Sequence, residues 1–131
     1  MAEDRQKIRV RVVGVGGAGV KIAGAIAASG DIAADFAAVD TDADSLRDCP
    51  VENAACIGAS ITNSMGSGGH ASAAKEAAIA DLGVLKRIAD GTDIFICIAG
   101  LGGGTGSVVA PILCKLAAES SAKLGVSVSL L

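Results

Sequence analysis

The apolar run Asp93-Ile94-Phe95-Ile96-Cys97-Ile98-Ala99 passes without interruption into Gly100-Leu101-Gly102-Gly103-Gly104-Thr105-Gly106-Ser107, and that loop opens a stretch with helical periodicity. A strand that turns into a helix through glycine can fold in few ways. Four of the five residues from Gly100 to Gly104 lack a Cβ, so an anion can approach the backbone N–H groups, and the helix adds the positive end of its dipole. Thr105 and Ser107 supply hydroxyls, and Ser107 is expected to reach a phosphate oxygen or a metal-bound water. Taken alone, one such loop reads equally well as a turn that packs tightly.

The pattern occurs twice. Ile8 to Val13 is apolar apart from Arg9 and Arg11, and it runs into Gly14-Val15-Gly16-Gly17-Ala18-Gly19, a GxGxxG motif ahead of the helical stretch Val20 to Ala28. Two strand-glycine-helix units in one small chain point to a single ligand with several phosphates. A dinucleotide is one candidate, because Asp40 follows the motif by about twenty residues, the spacing of the acid that binds ribose hydroxyls. That reading leaves the second loop without a role.

At 131 residues the chain is long enough for one core and too short for two. Hydrophobic residues make up 51% and aromatics 2%, which calls for helices packed closely on a sheet through Ala, Val, Ile and Leu. The net charge of −3 and the absence of a Lys/Arg cluster argue against a nucleic-acid partner. No apolar run reaches about 18 residues and the first residues do not resemble a signal peptide, so a cytoplasmic location without direct membrane insertion is expected. Cys49, Cys56, Cys97 and Cys114 lack CxxC spacing and read as buried reduced thiols. His70, the single histidine, cannot join a His-based metal cluster and reads as a plain loop residue.

Strand and helix signals alternate: strand Ile8 to Val13, helix Val20 to Ala28, strand Asp35 to Val39, a helical turn Asp42 to Arg47, strand Ala54 to Ile57, helix Ala71 to Ala89, strand Ile94 to Ala99, helix Gly106 to Lys123 and strand Val126 to Leu130. Alternation predicts an α/β fold with a doubly wound, mostly parallel sheet in three αβα layers. Ser29-Gly30, Gly91 and Gly125 fall where helices should stop, and Pro111 falls near the first turn of a helix that starts at Gly106. Both glycine loops then sit at strand carboxyl ends, where such sheets bind ligands.

At these residues the chain resembles the N-terminal nucleotide-binding half of the tubulin/FtsZ family, and bacterial FtsZ more than tubulin. The resemblance is carried by GGGTGS at Gly102 to Ser107, GVGGAG at Gly14 to Gly19, VDTDADSL at Val39 to Leu46, MGSGG at Met65 to Gly69 and APIL at Ala110 to Leu113. It implies a Rossmann-like GTPase domain that binds GTP or GDP with Mg2+ and stacks into filaments in bacterial cell division. By the same resemblance Gly16, Gly17, Gly102, Gly103, Gly104, Thr105, Gly106 and Ser107 hold phosphates. Gly66, Ser67, Gly68 and Gly69 lie beside the terminal phosphate, Asp42 near the phosphates and the subunit interface, and Lys21 close to the base. No catalytic or metal-ligating residue is assigned.

Lys21 and Asp40 stand where the family usually carries Asn, and Ser64, His70, Ala71 and Ser72 replace familiar Gly and Asn-Pro-Glu residues. Asp40 puts an extra negative charge near an anionic ligand, which Lys21 or a metal would have to offset. Residues 1–7 are expected to be a disordered tail and 8–131 the nucleotide-binding domain, without the family's central helix and C-terminal domain. Hydrolysis by this chain alone is expected to be weak or absent, and self-association is expected through filament contacts or an open edge strand. A non-catalytic assembly module of the same fold is a further alternative.

Overall fold

The computed structural model describes residues 7–63, 66, 68 and 70–120, and the backbone of 124–130. Strands β1 (Val10–Val15), β2 (Asp35–Asp40), β3 (Asn53–Cys56), β4 (Ile94–Gly100) and β5 (Leu124–Leu130) form one parallel sheet in the order β3-β2-β1-β4-β5. Between them run helices α1 (Gly16–Ser29), α2 (Ala43–Arg47), α3 (Ala59–Thr62), α4 (Ala71–Ala80), α5 (Leu82–Ala89) and α6 (Gly104–Glu119).

The pleat sorts the core into two layers. Val13 and Val15 of β1, Ala37 and Val39 of β2, and Phe95, Cys97 and Ala99 of β4 pack with α4, α5 and α6 through Ala77, Leu85, Ile88, Val109 and Leu113. The alternate residues Val12, Phe36, Ile96 and Ile98 pack on the other face with Ala23 and Ile26 of α1, while Ala38 meets Val20 of α1 and Leu46 of α2. Side chains of period two from a sheet covered on both sides are what a near-continuous apolar strand encodes. Because α1 and α6 leave adjacent strands for opposite faces, the carboxyl ends of β1 and β4 flank an open crevice.

Several boundaries differ from the sequence expectations, each for a physical reason. β1 begins at Val10, paired with Ile94, and leaves Ile8 exposed. It extends to Val15, paired with Val39 and Ala99, and Gly14 lets α1 cross close to it: a Cβ there would lie 2.3 Å from the Gly19 carbonyl oxygen. α1 and α6 start within their glycine motifs, at Gly16 and Gly104, so the loops themselves form the first turns. Starting α6 at Gly104 places Pro111 inside the helix, where it deprives the Ser107 carbonyl of a helical partner.

The single helix expected over Ala71 to Ala89 is two, broken at Asp81, whose carboxylate accepts the Gly58 N–H at 2.6 Å. Gly30 ends α1 in the left-handed conformation at φ +70°, whereas Gly125 lies within β5 instead of closing a helix. Helix α3 has no counterpart among the elements expected from the sequence. Of the four thiols only Cys97 is fully buried; Cys49, Cys56 and Cys114 are half-buried, and all four are free. A hydrogen bond with Cys114, together with burial, raises the Cys97 pKa.

Candidate functional site

Two long helices open onto the crevice with their first N–H groups uncapped by any side chain. Val15, before α1, and Gly103, before α6, are extended residues that make no capping bond, and neither helix has an acidic residue in its first turn. By contrast α2 is capped by Asp42, which accepts from the Asp44 N–H at 2.9 Å. Uncapped amides and two converging dipoles, each equivalent to roughly half a positive charge, favour an anion between them.

The glycines divide by what a side chain would meet. A Cβ on Gly19 would stand 2.2 Å from the Ile98 carbonyl oxygen, so this glycine lets α1 rest directly on β4. Gly16 has φ +77° and faces Gly106, whose backbone nitrogen lies 3.1 Å from where its Cβ would be. At Gly17, Gly102 and Gly103 a Cβ would meet no protein atom within 4 Å. Gly17 and Gly103 both line a cavity of about 330 Å³.

The wall opposite the helix starts comes from the carboxyl end of β2. Asp40 is 4% exposed, and its carboxylate is held on both oxygens, by the Thr41 N–H at 2.7 Å and by the Ser45 hydroxyl. Thr41 is fully buried, and its hydroxyl lies 2.9 Å from that of Thr105 in the first turn of α6. The Thr41 carbonyl accepts from the Gly66 N–H at 3.1 Å, which brings the glycine-rich third loop against the cavity.

Of the residues singled out in the sequence, Gly16, Gly17, Asp42, Gly66, Gly68, Gly103, Gly104, Thr105 and Gly106 line this one cavity. Ser67 and Gly69 lie outside the described residues. Gly102 is exposed in the turn ahead of α6, outside the cavity wall. Ser107 turns its hydroxyl back onto the Gly103 carbonyl at 2.8 Å. Lys21 is exposed on α1 and borders a separate groove with Asp44 and Asp48. His70 is exposed at the start of α4 and makes no side-chain cap.

Thr41 and Ser45 are the functional candidates that sequence reasoning passed over. Among the described residues no group of three or more His, Cys, Asp or Glu side chains is arranged to hold a metal ion, although Asp40 and Asp42 both line the cavity. No helix is long and apolar enough to cross a membrane, again among the described residues.

This geometry has relatives. A model of the tubulin/FtsZ family GTPase domain matches residues 9–131. Cell division protein FtsZ of Wigglesworthia glossinidia brevipalpis is 37% identical over 84% of this chain and 29% of its own length, and that of Aquifex aeolicus 34% identical over 91% and 32%. Among solved structures, an empty FtsZ dimer from M. jannaschii superposes with a TM-score of 0.87 at 29% identity, over 96% of this chain and 37% of the other. A GTPγS-bound protofilament of CetZ2 from Haloferax volcanii gives 0.79 at 30% identity, over 92% and 39%. This chain therefore spans about a third of the length of these relatives, and it belongs to the tubulin/FtsZ family.

Proposed function

We propose that this chain is the nucleotide-binding part of an FtsZ-like filament subunit, cytoplasmic and acting in bacterial cell division, and that it holds GTP or GDP with Mg2+ in the crevice between β1 and β4. One observation carries the reading: the uncapped starts of α1 and α6 converge on a single cavity, lined by Gly16 and Gly17 from one helix and by Gly104, Thr105 and Gly106 from the other. A chain of phosphates suits that space, because the first N–H groups of α1 and α6 have no helical acceptor and the glycines there keep the approach to them open.

In this reading the amides of Gly16, Gly17 and Ala18 bind one end of the phosphate chain, and those of Gly104, Thr105 and Gly106 the other. The third loop, fixed through Gly66 to Thr41, closes the side toward β2. Bound Mg2+ would offset phosphate charge next to Asp40 and Asp42. Ser107 joins the site only by giving up its bond to the Gly103 carbonyl. Gly102 and Lys21 lie outside the cavity wall, Lys21 on the separate groove beside α1.

Filament assembly and hydrolysis are activities of a whole subunit, about three times as long as this chain, and the CetZ2 relative was solved as a protofilament with GTPγS bound. The competing dinucleotide reading rests on Asp40 at the end of β2, yet its carboxylate is already engaged by Thr41 and Ser45, which leaves it poorly placed to receive ribose hydroxyls. Isothermal titration with GTP, ATP and NAD, each with Mg2+, separates the readings. GTP is expected to give the strongest binding. Preference for NAD would favour the dinucleotide site, and no binding by any of the three would favour an assembly module without nucleotide.

A further inference from the structure

Thr41 is built into the cavity wall without an assigned task. It has no exposed surface, yet its side chain is polar and reaches across β1 to the first turn of α6, where its hydroxyl oxygen sits 2.9 Å from that of Thr105. Either hydroxyl can donate in this pair. The neighbouring bonds involve the Thr41 backbone: its N–H goes to Asp40, and its carbonyl accepts from Gly66 and Thr62. The hydroxyl is thus the only part of Thr41 directed at the helix start.

We propose that Thr41 is a positioning residue that orients the Thr105 hydroxyl toward a bound phosphate. A phosphate oxygen carries no proton at that position and can only accept, so an anion in the cavity sets the direction of the pair. Thr41 donates to Thr105, and Thr105 donates to the phosphate. Each bond polarises the next, and the relay is held in a buried setting where hydrogen bonds are stronger than in water. Without the first hydroxyl, the Thr105 rotor loses a buried partner on its acceptor side, and its proton is less firmly directed at the ligand.

The inference rests on the nucleotide reading, and the experiment keeps the two apart. Wild-type protein is titrated with GTP and with inorganic pyrophosphate, both with Mg2+, and its binding of GTP tests the nucleotide reading by itself. Thr41→Val keeps the shape and deletes the hydroxyl, and Thr41→Ser keeps the hydroxyl and deletes a methyl. The relay predicts that Thr41→Val weakens GTP and pyrophosphate by the same factor, about tenfold, while Thr41→Ser stays within about twofold of wild type.

A purely structural strut would lower the melting temperature of Thr41→Val and leave both affinities unchanged, and that result overturns the proposal. Equal weakening by Thr41→Ser and Thr41→Val overturns it as well. If Thr41→Val does not fold, Thr41→Cys carries the same test, because a thiol is a weak donor of similar size: wild-type affinity for both ligands would again overturn the relay, and loss of affinity supports it.

Discussion

Gly19 lies so close to β4 that a Cβ there would stand 2.2 Å from the Ile98 carbonyl oxygen, whereas a Cβ on Gly17, two residues earlier in the same motif, would touch no protein atom within 4 Å. The two glycines therefore serve different ends. Gly19→Ala must push α1 off the sheet and should cost about 3 kcal/mol, read as a shift of the urea midpoint. Gly17→Ala should leave the fold as stable as before or slightly more so, since alanine favours helix. Its methyl group adds bulk at the cavity wall, and GTP affinity should fall by about tenfold or more. Equal affinities for wild type and Gly17→Ala would mean that the motif only packs.

Asp40 brings a carboxylate to a cavity proposed to hold phosphates, and repulsion between like charges across a few ångströms costs on the order of 1 kcal/mol when partly screened. Asp40→Asn retains an acceptor for the Thr41 N–H. Its affinity for GTP without Mg2+ should rise roughly fivefold, with a smaller gain at saturating Mg2+. Weaker binding by this variant under both conditions would assign Asp40 a direct role in holding the ligand or its metal.

The alternation of strands and helices, and the meeting of both glycine loops, were legible because the signals are local: an apolar run, then glycine, then helical periodicity. What escaped depends on partners distant in the chain. Nothing around Thr41 announces a contact with Thr105, 64 residues away, because that contact exists only once β1 separates β2 from β4. The break at Asp81 is equally non-local, since its carboxylate is drawn to the Gly58 N–H. Gly125 reads as a helix stop by residue type alone, yet it pairs with Phe95 within the sheet. The lining role of Ser45 follows from a turn of α2 too short to show periodicity.

Among the described residues β5 is an edge strand of the sheet, paired with β4. A parallel edge strand with an apolar sequence invites pairing with another copy, and a charge on that strand blocks it. Sedimentation velocity should show concentration-dependent dimers or larger species for the wild-type chain, and Val128→Lys should shift the distribution to monomer. A clean monomer for wild type across the whole concentration range would contradict edge pairing.

Hydrolysis of GTP by this chain by itself should stay near the uncatalysed background. Phosphoryl transfer needs a group to position water in addition to donors for the phosphates. The two carboxylates that line the cavity are committed elsewhere: Asp40 to Thr41 and Ser45, Asp42 to the start of α2. Steady-state phosphate release should not depend on protein concentration. A specific rate that climbs with concentration would show that copies of this chain complete one another's sites.

The location of the ligand can be read directly from backbone amide shifts of 15N-labelled protein titrated with GTP and Mg2+. The largest changes should fall on Gly17, Ala18, Gly104, Thr105 and Gly106, whose N–H groups open α1 and α6, with Gly66 following through Thr41. Residues at the amino end of the sheet, such as Asn53 and Gly91, should stay unmoved. Changes centred on Ala25, Ala28 and Cys49, along the groove beside α1, with the two helix starts silent, would contradict the account.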